Sequence, residues 1–258
     1  MSNKYIGVFD SGLGGVAVVR YLKKYLPKEN IIFLADYKNC PYGSKTRKQL
    51  LDIVSKNISF INQYDLKTVS IACNTADSLA GEMIDEFFDI PVCHIIEPTC
   101  KEALKVSKNK KIGVIATKAC INGGKYQETF KNLDPDAKIY PLATPALVTL
   151  VESKKYTMEC EDTVETLKDY FSHFENTGID TMVLGCTHYD LLLDICENIM
   201  PDINFVSSSK CVADYTLDML EDKNEEEGKR EFCVTAFKEK FDRLSSYILE
   251  EDIDSKLI

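Results

Sequence analysis

No two of the ten cysteines are spaced as CxxC, and only three histidines are present, so the usual signature of a structural zinc site is missing. No basic leader followed by an apolar stretch opens the chain: Met1-Ser2-Asn3-Lys4 runs straight into a strand pattern, and no apolar run approaches ~18 residues. These absences predict a cytoplasmic protein without membrane contact. In that compartment the cysteines are expected as free thiols, most of them buried as small hydrophobes. Positive charge is also in deficit. A net charge of -10 disfavours a nucleic-acid backbone or an anionic membrane surface as partner. What the chain does have is the composition of a globular protein, 45% hydrophobic and 28% charged over 258 residues, which predicts a large core and admits either one long domain or two compact ones, of which two are expected.

Short apolar runs rich in β-formers alternate with amphipathic stretches: Tyr5 to Phe9, a helix near Gly15 to Leu26, Ile31 to Ala35, a helix near Lys45 to Gln63, and so on to the end. Strands alternating with helices predict βαβ units and parallel sheets with helices on both faces. The run EDKNEEEGKRE, Glu221 to Glu231, breaks this rhythm and is expected as a solvated linker.

An internal repeat organises the rest. KYIGVFDSG (4–12) resembles KKIGVIATK (110–118), and TVSIACNTAD (68–77) resembles TMVLGCTHYD (181–190). Two pseudo-symmetric doubly wound α/β domains are therefore predicted, 1–97 plus 212–258 and 98–211. Ligands in open parallel sheets bind beyond the carboxyl ends of the strands. Two domains meeting there would set Cys73 and Cys186 on opposite sides of one cleft.

Two opposed thiols form a two-base pair. One removes the α-proton from one face of an amino acid and the other protonates the opposite face, since a thiol titrating near pH 8.5 serves as either donor or acceptor. Asp10 ends the first strand and falls beside Cys73. A carboxylate there raises a thiol pKa, so it suits a proton relay or an amino-group partner. His188, two residues past Cys186, favours a thiolate or donates to an anionic substrate. Ser11, Asn74, Thr75 and Thr187, with backbone N–H groups at helix starts, can hold a carboxylate. Glu152 reads equally as a solvated helix residue or a site residue, Asp36 as a helix cap, and His94 and His173 as structural. A rival pattern is the dinucleotide fingerprint GxGxxA at Gly12 to Ala17, with Asp36 placed for a ribose contact, which would imply a nicotinamide-dependent oxidoreductase. A binding module without turnover is a further alternative.

The motifs DSGLGG (10–15), PYG (41–43), ACNTA (72–76), IEP (96–98), GVIAT (113–117), VES (151–153) and GCTHY (185–189) resemble, in order, those of the glutamate racemases. The resemblance implies a site between two α/β domains that takes no metal and no pyridoxal phosphate, and often a homodimer. It implies Cys73 as the base towards D-glutamate, Cys186 as the base towards L-glutamate, Asp10 and His188 as their assistants and Glu152 as support for the histidine. Asp10, Ser11, Tyr42, Gly43, Asn74, Thr75, Thr187 and His188 would contact the substrate, with Thr117 a further candidate, and the product would supply peptidoglycan. Asp77, Cys120, Asp190 and Ala35 depart from the family pattern. A carboxylate of Asp77 or Asp190 facing inward would repel a γ-carboxylate, which keeps an aspartate racemase, or a broader amino-acid racemase of the same fold, open as alternatives.

Overall fold

The computed structural model describes residues 4–220, 224 and 227–258. Ten strands are found among them: β1 (Tyr5–Asp10), β2 (Asn30–Ala35), β3 (Leu66–Ile71), β4 (Val92–Cys93), β5 (Lys111–Ala116), β6 (Lys138–Ala143), β7 (Thr181–Gly185), β8 (Asn204–Ser207), β9 (Arg230–Val234) and β10 (Lys256–Leu257). The helices that alternate with them are α1 (Gly15–Tyr25), α2 (Arg47–Ile61), α3 (Asn74–Asp85), α4 (Ile96–Val106), α5 (Lys118–Gly123), α6 (Lys125–Leu133), α7 (Ala146–Glu152), α8 (Glu161–Ser172), α9 (Leu193–Ile199), α10 (Ser208–Met219) and α11 (Lys238–Leu249). Short 3-10 turns cover Tyr42–Ser44 and Thr187–Leu192.

The strands form two wholly parallel sheets, ordered β10-β9-β2-β1-β3-β4 and β6-β5-β7-β8. The repeat in the sequence is a repeat in space. β2-β1-β3-β4 and β6-β5-β7-β8 run in the same order, and Ile6 pairs with Thr68 as Ile112 pairs with Thr181. Central strands read as unbroken apolar runs because helices cover both faces: β1 is buried from Ile6 to Asp10 and β7 throughout. Helix α1 turns Val16, Val18, Val19 and Leu22 inward and places Lys23 and Lys24 at its C-terminal end, where the backbone dipole favours cations. At the start of α2, Thr46 and Gln49 form a reciprocal capping box.

One apolar cluster joins the two sheets, running from Ile6 and Val8 through Val16, Cys100 and Val212 to Ile112 and Val114. The sheets are thus fixed to each other by shared packing. None of the described helices is long and apolar enough to cross a membrane. The expected linker needs correction at its end: Arg230 and Glu231 open β9, and Glu231 accepts from Tyr5 Oη at 2.7 Å and Lys256 Nζ at 2.7 Å. Glu221, Asp222, Lys223, Glu225 and Glu226 lie outside the described residues.

Candidate active site

Cys73 lies two residues beyond the end of β3 and Cys186 one residue beyond the end of β7. Both line one narrow cavity with about 300 Å³ of empty space, together with Asp10, Ser11, Tyr42, Gly43, Asn74, Thr75, Thr117, Thr187 and His188. Every residue expected at the substrate is therefore brought to one place, although those residues span five separate stretches of chain. Pro41, the first residue of the PYG motif, and Val148, which carried no sequence signal, complete the wall.

The GLGG turn makes the close contact between the halves. A Cβ on Gly14 would stand 2.2 Å from Thr187 Oγ1 and 2.8 Å from the His188 backbone nitrogen, so only glycine fits. Gly43 approaches Thr117 in the same way, with a Cβ falling 2.9 Å from Thr117 Cβ. Thr75 and Thr117 share a hydrogen bond of 2.9 Å across the cavity floor. Asn74 is clamped: its Oδ1 accepts from Tyr126 Oη at 2.6 Å and its Nδ2 donates to Ser208 Oγ at 3.0 Å.

The two thiols have unlike surroundings. Burial, and then the Asp10 charge, push the Cys73 thiol well above its ordinary pKa. Asp10 is itself wholly buried, and desolvation raises its pKa against the opposing pull of His188. On the other side, His188 Nδ1 lies 3.9 Å from Cys186 Sγ and its Nε2 lies 3.0 Å from Glu152 Oε1. Burial alone would depress the His188 pKa, but Cys186 and Glu152 outweigh it and hold the ring well above its usual range. Glu152 does not line the cavity. Burial works against its charge, yet His188 and Lys240 hold its carboxyl down to about 2, so it is a part-buried, ion-paired carboxylate and not a solvated helix residue.

Several expectations are corrected. The Asp77 carboxylate turns away from the cavity, bonding His94 Nδ1 at 2.6 Å and the Ile96 N–H at 2.9 Å. Asp190 is held by Ser207 Oγ and by Arg20 at 3.1 Å. Neither carboxylate lines the cavity. Cys120 is buried behind the site, with its Sγ directed at the Asn74 carbonyl. The dinucleotide pattern also fails: the Gly15 N–H at the start of α1, where a pyrophosphate would sit, donates to the Asp10 carboxylate. Asp36, the supposed ribose partner or helix cap, is fully buried and receives the side chains of Asn39, Tyr42, Asn57 and Thr235. That hub fixes the Tyr42 ring against the cavity. Sequence reading also missed Tyr37, whose hydroxyl donates to Glu152 at 3.2 Å, and Lys240.

Comparison with known proteins bears on the same residues. The family model for Asp/Glu/Hydantoin racemase matches residues 6–216. A glutamate racemase of Sulfurihydrogenibium sp. is 38% identical over 245 residues, covering 95% of this chain and 93% of its own. The crystal structure of a glutamate racemase isoform from Bacillus anthracis superposes with a TM-score of 0.92 at 30% identity, covering 99% of this chain and 97% of its own. That of the Francisella tularensis glutamate racemase in complex with D-glutamate gives 0.90 at 27% identity, covering 100% and 98%. With paired strand-end cysteines in one cavity and a family match over most of its length, the chain belongs to the Asp/Glu/Hydantoin racemase family.

Proposed function

We propose that the chain interconverts L- and D-glutamate without a cofactor, using Cys73 and Cys186 as opposed acid and base. The observation that carries this reading is the shared cavity with its two unlike thiol environments. Burial and Asp10 keep Cys73 as a thiol, ready to donate. A cationic His188 stands beside Cys186 as counter-charge to a thiolate. An enzyme resting in this state is set for L-glutamate: the Cys186 thiolate takes the α-proton, Cys73 delivers its own to the opposite face, and D-glutamate leaves. The protonation states are then exchanged, and the reverse turnover or proton return through Asp10 and His188 restores them.

Asp10 suits the substrate ammonium. Ser11, Asn74, Thr75 and Thr187, with the backbone N–H groups that open α3 and the Thr187 turn, suit the α-carboxylate whose charge grows as the carbanion forms. Gly43 and Thr117 close the far end around the side chain. The identity of the relatives and the outward turn of Asp77 and Asp190 favour glutamate over aspartate. By the same reading the protein is cytoplasmic, works as a homodimer and supplies D-glutamate for peptidoglycan. It is built of two units, 1–97 plus 212–258 and 98–211, a division supported by which strands share a sheet.

Circular dichroism on L-glutamate and L-aspartate tests the substrate, with loss of the optical signal expected on glutamate. Reaction in D2O should place solvent deuterium at the product α-carbon, and Cys73→Ala or Cys186→Ala should abolish racemisation. Near-normal racemisation by either single variant would sink the two-base reading.

A further inference from the structure

Behind His188 the structure continues past the residues that line the cavity. Glu152, the last residue of α7, accepts from His188 on one side. On the other, Lys240 Nζ reaches its Oε2 at 2.7 Å from the first turn of α11. Tyr37 Oη donates to the same carboxylate, 3.2 Å from Oε2 and 3.4 Å from Oε1. The lysine also stands 5.6 Å above the Tyr37 ring, and Phe241 on α11 packs edge-on to that ring at 5.8 Å. Each Glu152 oxygen is thus committed: Oε1 to His188 and Oε2 to Lys240, with the tyrosine across both. A carboxylate pinned at both oxygens cannot rotate. The imidazole it holds then keeps Nδ1 towards Cys186.

We propose that Lys240 is a positioning residue for the Cys186 half of the reaction, acting through Glu152 and His188. The inference rests on the two-thiol reading above. Lys240 lies beyond residue 216, where the family match ends, and reaches from the half containing the first sheet into the half containing the second. Its charge completes an alternating series: lysine cation, glutamate anion, histidine cation, thiolate. The other titratable groups facing this series include Tyr37 and Cys40 beside Glu152, Asp10 beside His188, and Cys120 and Tyr189 beside Cys186. Low exposure of Glu152 (15% of its side chain) makes the lysine contact stronger than a surface pair, although Lys240 itself is 40% exposed.

The test is Lys240→Met and Lys240→Arg in the full chain. Lys240→Met should lower kcat on the order of tenfold, with KM for glutamate little changed because Lys240 does not touch the cavity. Enantiomers are equal in energy, so kcat/KM must fall equally in both directions. Lys240→Arg should restore most of the loss. With three histidines in the chain, nitrogen-15 NMR can follow the His188 ring directly. At neutral pH its Nε2–H signal should shift and exchange faster with solvent in Lys240→Met, and return in Lys240→Arg. Should the methionine variant not fold, Lys240→Gln carries the same measurements. An unmoved His188 signal with wild-type kcat overturns the proposal. So does a drop in melting temperature with no change in kcat, which would make the lysine merely structural. If the wild-type protein does not racemise glutamate, the two-thiol reading fails on its own, while the His188 signal still judges the contact.

Discussion

Gly14→Ala sets two physical expectations against each other. The residue has ordinary helical backbone angles, φ -56° and ψ -37°, so local chain entropy alone makes alanine stabilising by ~0.4–1 kcal/mol. The tertiary contact predicts the reverse. The new Cβ would stand 2.2 Å from Thr187 Oγ1, 2.7 Å from His188 Nδ1 and 2.8 Å from the His188 backbone nitrogen. Side chains can turn aside, but the backbone nitrogen cannot. Against an ordinary contact of 3.4 Å or more, the two turns must part by about 0.6 Å. Overpacking of this kind costs about 1–3 kcal/mol. At ~2–4 °C per kcal/mol for a protein of this size, the melting temperature should fall by roughly 2–12 °C. The displaced turn carries Thr187 and His188, and misplacement approaching 1 Å costs up to ~100-fold in rate. A kcat ten- to a hundredfold lower is therefore expected, on the order of those rate losses. Calorimetry and polarimetry on the one variant settle the matter. A melting temperature that rises, with kcat intact, would refute the claim that the halves meet through this glycine.

Two further outcomes follow from buried charge. His94 is pushed up to about 9 from 6.5: burial opposes the charge, but the hydrogen bonds and charges of Asp77 and Asp85 prevail. A folded-state pKa above the unfolded one contributes stability that is complete below pH 6.5 and lost as pH rises through 9, here up to about 3 kcal/mol. Urea unfolding across that window should show the decline, and His94→Gln should flatten it; an equal slope in both proteins would discount the ion pair. Asp36→Ala should cost about 3–5 kcal/mol, because it strands the buried Tyr42 hydroxyl and Asn57 amide, and Asp36→Asn should cost less. A loss below 1 kcal/mol in the alanine variant, read by the same titration, would remove Asp36 as the anchor of Tyr42.

Much of this site was legible because the repeat carries three-dimensional information. Ile6 and Ile112 hold equivalent places in β1 and β5, Thr68 and Thr181 pair with them, and the cysteines follow at equivalent ends. Direction was less legible than position. Asn74, Thr75 and Asp77 open the same helix, but successive side chains rotate by about 100° around its axis. Asn74 therefore meets Tyr126, Thr75 meets Thr117, and Asp77 leaves for Ile96 and His94. The charge of Glu231 suggested a linker because its partners, Tyr5 and Lys256, are far off in the chain and only the sheet brings them near. Lys240 stands 88 residues from Glu152 and carries no motif, so nothing short of the packed α11 could reveal it.

The near-symmetry of the two halves explains the geometry of the cysteines but not their division of labour. Under the proposed mechanism, identical halves would give both thiols the same surroundings and no preferred donor. The difference enters at the positions where the repeat diverges. Asp10 aligns with Ala116, so only the Cys73 side has a buried carboxylate at the end of its neighbouring strand. Thr75 aligns with His188, so only the Cys186 side has an imidazole within reach of its sulfur. Glu152 then stabilises that imidazole as a cation, and Lys240 keeps Glu152 an anion. One fold unit used twice thus sets two strand-end cysteines in one cavity, and two divergent positions of the repeat give them the unlike surroundings on which the proposed two-thiol mechanism relies.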